Sequence, residues 1–146
     1  MELAERSAEV HWNGTLASGD GTLRAGSEAV TDLPIDWASS SERAHGTSSP
    51  EELLAGAHAS CYAMALSLLL TRDGKPPESL DVKARCSLEE DGDWYTIKAM
   101  ELDVRGSVPD LDAEGFERAA IQADEHCPIS NAVRDNVEVR VTATLA

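Results

Sequence analysis

The stretch from Ser49 to Gly74 constrains the fold more than any other part of the chain. Ser49 is a good helix N-cap, Pro50 suits the first helical position, and Glu52 stands where a capping box needs its acid. Asp73-Gly74 supplies a stop. The spacing predicts one helix from Pro50 to about Arg72. Leu53, Leu54, Ala57, Cys61, Met64 and Leu68 recur at helical intervals, and Ala55, Ala59, Tyr62, Leu66 and Leu69 fill the opposite side. A helix that is apolar all round is buried on most sides. In a chain of 146 residues that implies a central helix wrapped by sheet or by a second subunit.

The flanking segments read as strands and one further helix. Residues 8–17 and 20–31 alternate loosely about Gly19-Asp20-Gly21, which predicts a hairpin, while the polar, Gly/Ser-rich residues 36–49 predict a loop. Residues 79–88 and 93–107 read as two strands joined by a turn from Glu89 to Gly92. Asp112 is placed to cap a helix with Phe116, Ala119, Ala120 and Ala123 inside, ending near Cys127-Pro128, and residues 136–144 alternate as a last strand. Strands cluster as hairpins instead of alternating singly with helices. The expectation is therefore one α+β domain over residues 1–146, with antiparallel sheets around the long helix.

Charge removes several functions. There are 12 Lys and Arg against 27 Asp and Glu, a formal net charge of -15. Such a surface repels the phosphates of nucleic acid and of anionic membranes. No unbroken apolar run reaches membrane-spanning length, so no transmembrane helix is expected. Met1 to Val10 lacks the basic and apolar regions of a signal peptide, which points to the cytoplasm. Three cysteines do not make a secreted disulfide framework, and in a reducing compartment a pair is more often catalytic or metal-binding.

Cys61 lies about three turns into the long helix, with His58 three residues before it on nearly the same face. Cys127 follows His126 and precedes Pro128. Cys61 and Cys127 each read equally well as a reactive thiol or as a small hydrophobe. Cys86 alternates within a strand and reads as packing. Glu51 and Glu52 already have a structural reason, since acids suit a helix N-terminus. His58, Cys61, His126 and Cys127 are acceptable zinc ligands, although the usual C-x2-C spacing is absent. A cysteine hydrolase using Cys61 with His58 or His126 is a further reading. So is a non-catalytic stress or binding protein.

Residues 49–67, Ser-Pro-Glu-Glu-Leu-Leu-Ala-Gly-Ala-His-Ala-Ser-Cys-Tyr-Ala-Met-Ala-Leu-Ser, resemble the hallmark helix of the osmotically induced protein and organic hydroperoxide resistance family (OsmC/Ohr). Cys127-Pro128-Ile129-Ser130-Asn131-Ala132 resembles that family's second motif, and His11-Trp12-Asn13-Gly14 and the last strand also fit. The histidine three before the first cysteine is similar to the OsmC branch. The resemblance implies an intertwined homodimer with sites near the subunit interface, and a thiol peroxidase that needs no cofactor. It makes Cys61 the cysteine that attacks an organic hydroperoxide and becomes a sulfenic acid. Cys127 then closes a disulfide with it, and an external dithiol restores the pair. Read from the residues, Ala57, Met64, Leu68 and Phe116 offer apolar lining for an alkyl group, and the same stripe reads as ordinary core packing.

Glu51, ten residues before Cys61, matches the family glutamate that orients an active-site arginine. That arginine usually stands three residues after an aromatic; here the aromatic is Trp37 and the position holds Ser40. Arg43 follows three residues later and is the candidate to replace it.

Overall fold

In the computed structural model, which describes residues 1–42 and 45–146, the alternating N-terminal segments pair as a hairpin. β1 (Ala8–Asn13) and β2 (Asp20–Ala25) run antiparallel, and β3 (Leu33–Ile35) adds to β2 in the order β1-β2-β3. The turn lies earlier than expected. It spans residues 14–19, with Gly14 at a φ of 89° and the Gly19 N–H bonded to the Thr15 carbonyl, so Asp20 and Gly21 belong to β2. The segment expected as a loop also holds a four-residue helix, α1 (Ala38–Ser41), behind Asp36, whose Oδ1 accepts from the Ser39 N–H at 2.8 Å.

α2 runs Pro50–Arg72, as its end signals require. The Glu52 N–H donates to Ser49 Oγ at 3.2 Å. The second half of the capping box is not made: the Glu52 carboxylate accepts from Ser48 Oγ at 2.7 Å instead. At the other end Gly74 takes a φ of 74°, its N–H bonds the Thr71 carbonyl, and the Lys75 N–H bonds the Leu70 carbonyl. That double closure is a Schellman stop, and it needs the left-handed residue that glycine supplies without strain. The chain forms two compact units, Met1–Leu53 and Leu54–Ala146, with the boundary inside α2.

The second unit carries β4 (Ser79–Asp91) and β5 (Trp94–Ser107), which form an antiparallel hairpin closed by Gly92-Asp93. α3 (Ala113–His126), α4 (Pro128–Val133) and β6 (Glu138–Leu145) follow, and the sheet order is β4-β5-β6. β6 lies parallel to β5, which corrects the expectation of wholly antiparallel sheets. The cause is the connection. α3 and α4 carry the chain back to the starting end of β5, a crossover that only a parallel partner permits.

Asp112 caps α3 by accepting from the Gly115 N–H at 2.8 Å, and Phe116, Ala119, Ala120 and Ala123 are buried as the spacing predicts. They pack with Leu102 and Val104 of β5 and with Tyr62, Leu66 and Leu70 of α2. Gly106 leaves room for the Phe116 ring, since a Cβ there would meet the ring at 2.5 Å. The Tyr62 hydroxyl donates to the Ala120 carbonyl at 2.8 Å inside this core, joining α2 to α3.

The burial of α2 departs from expectation. One strip is buried, His58, Tyr62, Leu66 and Leu70, while Met64 and Leu68 are 72% and 49% exposed. By length and composition alone α2 could cross a membrane, which its broken apolar run did not suggest. Its buried strip accounts for part of that apolarity as core.

Candidate active site

Cys127 stands at the corner between α3 and α4. Its N–H bonds the Ala123 carbonyl at the end of α3, and its carbonyl accepts from the Asn131 N–H in α4. Its backbone is extended, with φ -67° and ψ 118°, the conformation favoured before a proline. The sequence signal for that corner is Cys-Pro itself, because Pro128 ends one helix and suits the start of the next. Cys127 is fully buried.

Cys61 is half-buried on α2, and the fold brings its sulfur beside Cys127, 66 residues further along, near enough for the Cys127 thiol to act on its ionisation. Both are free thiols. The backbone N–H of Ile129, in the first turn of α4, also faces the Cys61 sulfur. Three influences act on the Cys61 thiol. Burial pushes its pKa up and is the largest, the Ile129 N–H pulls it down, and the neighbouring Cys127 thiol pushes it up again. The net direction is upward, so these groups alone keep Cys61 protonated at neutral pH.

A hollow of about 460 Å³ opens beside Cys61, lined mainly by Met64, Leu68, Leu69, Arg72, His126 and Pro128. Met64 and Leu68 thus line a space next to the thiol, as expected. Ala57 and Phe116 do not: Ala57 is exposed elsewhere on α2, and Phe116 is buried against Gly106. Cys86 lies on β4 opposite Met100.

His58 is fully buried, and its Nε2 is 2.7 Å from Ser130 Oγ on α4, also fully buried. Burial lowers the His58 pKa; Asp124 opposes that and Arg134 adds to it. Among the described residues the His58 Nδ1 and one oxygen of Asp124 are buried without a hydrogen-bond partner. Ser130 and Asp124 carried no separate sequence signal, although Ser130 lies within the second motif. No three His, Cys, Asp or Glu side chains among the described residues gather to hold a metal, so His58, Cys61, His126 and Cys127 do not form a zinc donor set.

In the first unit, Ser40 Oγ donates to Glu51 Oε2 at 2.7 Å. Ser40 thus meets Glu51 at the position where the resemblance called for an arginine. Arg43 lies outside the described residues.

The family model for OsmC-like proteins matches residues 43–142, which include both cysteines. The chain belongs to the OsmC-like family. Among its relatives is peroxiredoxin OsmC of Escherichia coli, 33% identical over 132 residues that make up 90% of this OsmC-like chain and 92% of that protein. Organic hydroperoxide resistance protein-like 1 of Staphylococcus epidermidis is 34% identical over 97 residues, 63% of this chain and 66% of the relative. Of solved structures, the organic hydroperoxide resistance protein OhrB of Bacillus subtilis superposes with a TM-score of 0.73 at 26% identity, covering 94% of this chain and 98% of its own. An OsmC protein from Legionella pneumophila superposes with a TM-score of 0.77 at 21% identity over 99% of both chains, and so supports the fold.

Proposed function

We propose that this protein is a thiol-dependent peroxidase that reduces organic hydroperoxides to alcohols through Cys61 and Cys127. The observation that carries this reading is the pairing of a half-buried thiol on α2 with a buried thiol at the α3–α4 corner, beside an apolar hollow. Family membership supports a peroxidase-type function, and the relatives named for peroxiredoxin activity and hydroperoxide resistance support the substrate class.

The Cys61 thiolate attacks one peroxide oxygen. The O–O bond breaks, an alkoxide leaves and takes a proton, and Cys61 becomes a sulfenic acid. The Cys127 thiol then attacks that sulfur, forming the disulfide and releasing water. An external dithiol returns two electrons and two protons to restore both thiols. The chemistry uses no cofactor. An alkyl hydroperoxide suits the hollow better than hydrogen peroxide, because Met64, Leu68 and Leu69 offer it apolar contact. Cytoplasmic location fits a pair that must be reduced again after each turnover. We further assign the chain a single domain and a homodimeric state; the apolar residues exposed on α2 favour a second copy as their cover.

The test is stoichiometric. Reduced protein treated with one equivalent of cumene hydroperoxide is expected to lose two thiols, with mass spectrometry finding a Cys61–Cys127 bond and an unmodified Cys86. A lasting sulfenic acid on Cys61 with all other thiols intact contradicts the two-cysteine cycle.

Because the described neighbours push the Cys61 pKa upward, ionisation needs added positive charge. We assign it to Arg43, with Glu51 as the carboxylate that orients the guanidinium. Arg43→Ala is expected to slow the reaction with cumene hydroperoxide at pH 7 by about tenfold or more, the size of a pKa rise of about one unit. The same variant should shift the inflection of the pH–rate profile upward, so that activity returns on raising the pH. An unchanged profile removes Arg43 from the reaction and leaves the cysteine pair in place.

A further inference from the structure

His58 is the fully buried histidine among the described residues, and the cysteine chemistry gives it no part. Its surroundings do. It lies three residues before Cys61, while Tyr62 follows Cys61 directly. Each makes one buried hydrogen bond off the helix: Tyr62 donates to the Ala120 carbonyl of α3 at 2.8 Å, and His58 Nε2 shares a bond with Ser130 Oγ of α4 at 2.7 Å. The partners flank the other cysteine, since Ala120 precedes Cys127 and Ser130 follows it. In sequence, each cysteine therefore lies between the residues of two buried hydrogen bonds that join their supporting elements.

The two bonds are not equivalent. α3 is also held by its own buried face of Phe116, Ala119, Ala120 and Ala123. α4 has six residues and one fully buried side chain, Ser130. Arg134 and Asn131 bond the Asp124 and Glu125 carbonyls, which ties α4 to α3 and not to α2. Among the described residues, His58–Ser130 is the bond between two side chains that joins α4 to α2, beside the contact of the Ile129 N–H with the Cys61 sulfur. The Ile129 N–H that faces the Cys61 sulfur is the neighbour of Ser130. Burial lowers the His58 pKa, which suits a neutral ring bridging to a hydroxyl.

We propose that His58 is a positioning residue for disulfide closure. Through Ser130 it holds the start of α4, and with it Cys127, against Cys61. The inference rests on the cysteine-pair reading and deepens it. It assigns the second step, not the first, to the α2–α4 bond. Displacements of about 1 Å between reacting groups can cost about a hundredfold in rate, so a loosened α4 has a measurable effect.

The test compares the full-length protein with His58→Leu, Ser130→Ala and the rescue variant His58→Gln, whose amide can still reach a hydroxyl. Each is equilibrated in mixtures of reduced and oxidised glutathione, and the Cys61–Cys127 disulfide is counted after alkylation. The first two variants are expected to lower the effective concentration of the pair by about tenfold or more, with His58→Gln recovering most of it. After one equivalent of cumene hydroperoxide, trapping with dimedone is expected to find sulfenic acid formation slowed far less than disulfide closure. Unchanged effective concentrations in both His58→Leu and Ser130→Ala overturn the proposal, as does equal slowing of both steps, the mark of general structural damage. If His58→Leu fails to fold, Ser130→Ala decides, because it removes one hydroxyl and leaves the ring in place. The glutathione equilibrium needs no peroxide. A pair that closes there under His58 control yet ignores hydroperoxides sinks the peroxidase reading and leaves the positioning role standing.

Discussion

Cys61→Ser is expected to remove consumption of cumene hydroperoxide by on the order of 10³-fold or more under excess dithiol, the scale seen when a sole nucleophile is lost. A hydroxyl ionises far above neutral pH, and its oxygen is a poor nucleophile toward peroxide oxygen, so the seat of attack empties although its shape persists. Neither remaining cysteine is placed to take over. Cys127 is fully buried, and Cys86 sits on β4 opposite Met100. The substitution is mild for the fold, because Cys61 is half-buried on a helix whose core strip is carried by Tyr62, Leu66 and Leu70. Circular dichroism and an unfolding midpoint close to the unaltered value separate loss of chemistry from loss of structure. Retained consumption in a folded Cys61→Ser protein puts the reactive sulfur elsewhere.

How much of this was legible depends on which residues carried the signal. The ends of α2 were written in Ser49-Pro50 and Asp73-Gly74, and the inner face of α3 in the spacing of Phe116, Ala119, Ala120 and Ala123. The direction of α2 was not. Its apolar residues ring the helix, so periodicity named no buried side, and the strip that is buried includes a histidine. β3 has three residues, one of them Pro34, too few to show alternation. The parallel course of β6 was readable in principle. A strand, a helix and a strand in succession, β5, α3 and β6, form a crossover unit, but the strong β4–β5 hairpin favoured an all-antiparallel reading. At the site, the family motifs singled out both cysteines. They could not give the bond from Ser40 to Glu51 or from His58 to Ser130, because each joins residues far apart in sequence through contacts that only the folded backbone sets.

Cys127→Ser is expected to split the reaction at its middle. Cys61 keeps its position and its Ile129 N–H contact, and it loses the neighbouring thiol that pushes its pKa up, so the first attack on one equivalent of hydroperoxide should proceed at least as fast as before. The second step is the one that changes. The sulfenic acid has no sulfur within reach, and in excess hydroperoxide it is oxidised on to sulfinic acid, which ordinary thiols do not reverse. Sustained turnover with an external dithiol is expected to fall by on the order of a hundredfold, since an intermolecular thiol must replace an intramolecular one with its far higher effective concentration. Intact mass should show two added oxygens on Cys61 at a peroxide excess that leaves the unaltered protein as the disulfide. The variant also discriminates between classes of enzyme. A cysteine hydrolase built on Cys61 and a histidine has no use for a second thiol and would lose nothing. A Cys127→Ser protein that turns over hydroperoxide as the unaltered one does, without oxidation beyond sulfenic acid, shows that resolution takes place through some other thiol. Cys127→Ala serves as the companion variant, because a serine hydroxyl in this fully buried corner adds a desolvation cost that alanine avoids. Agreement between the two assigns the loss to the missing sulfur.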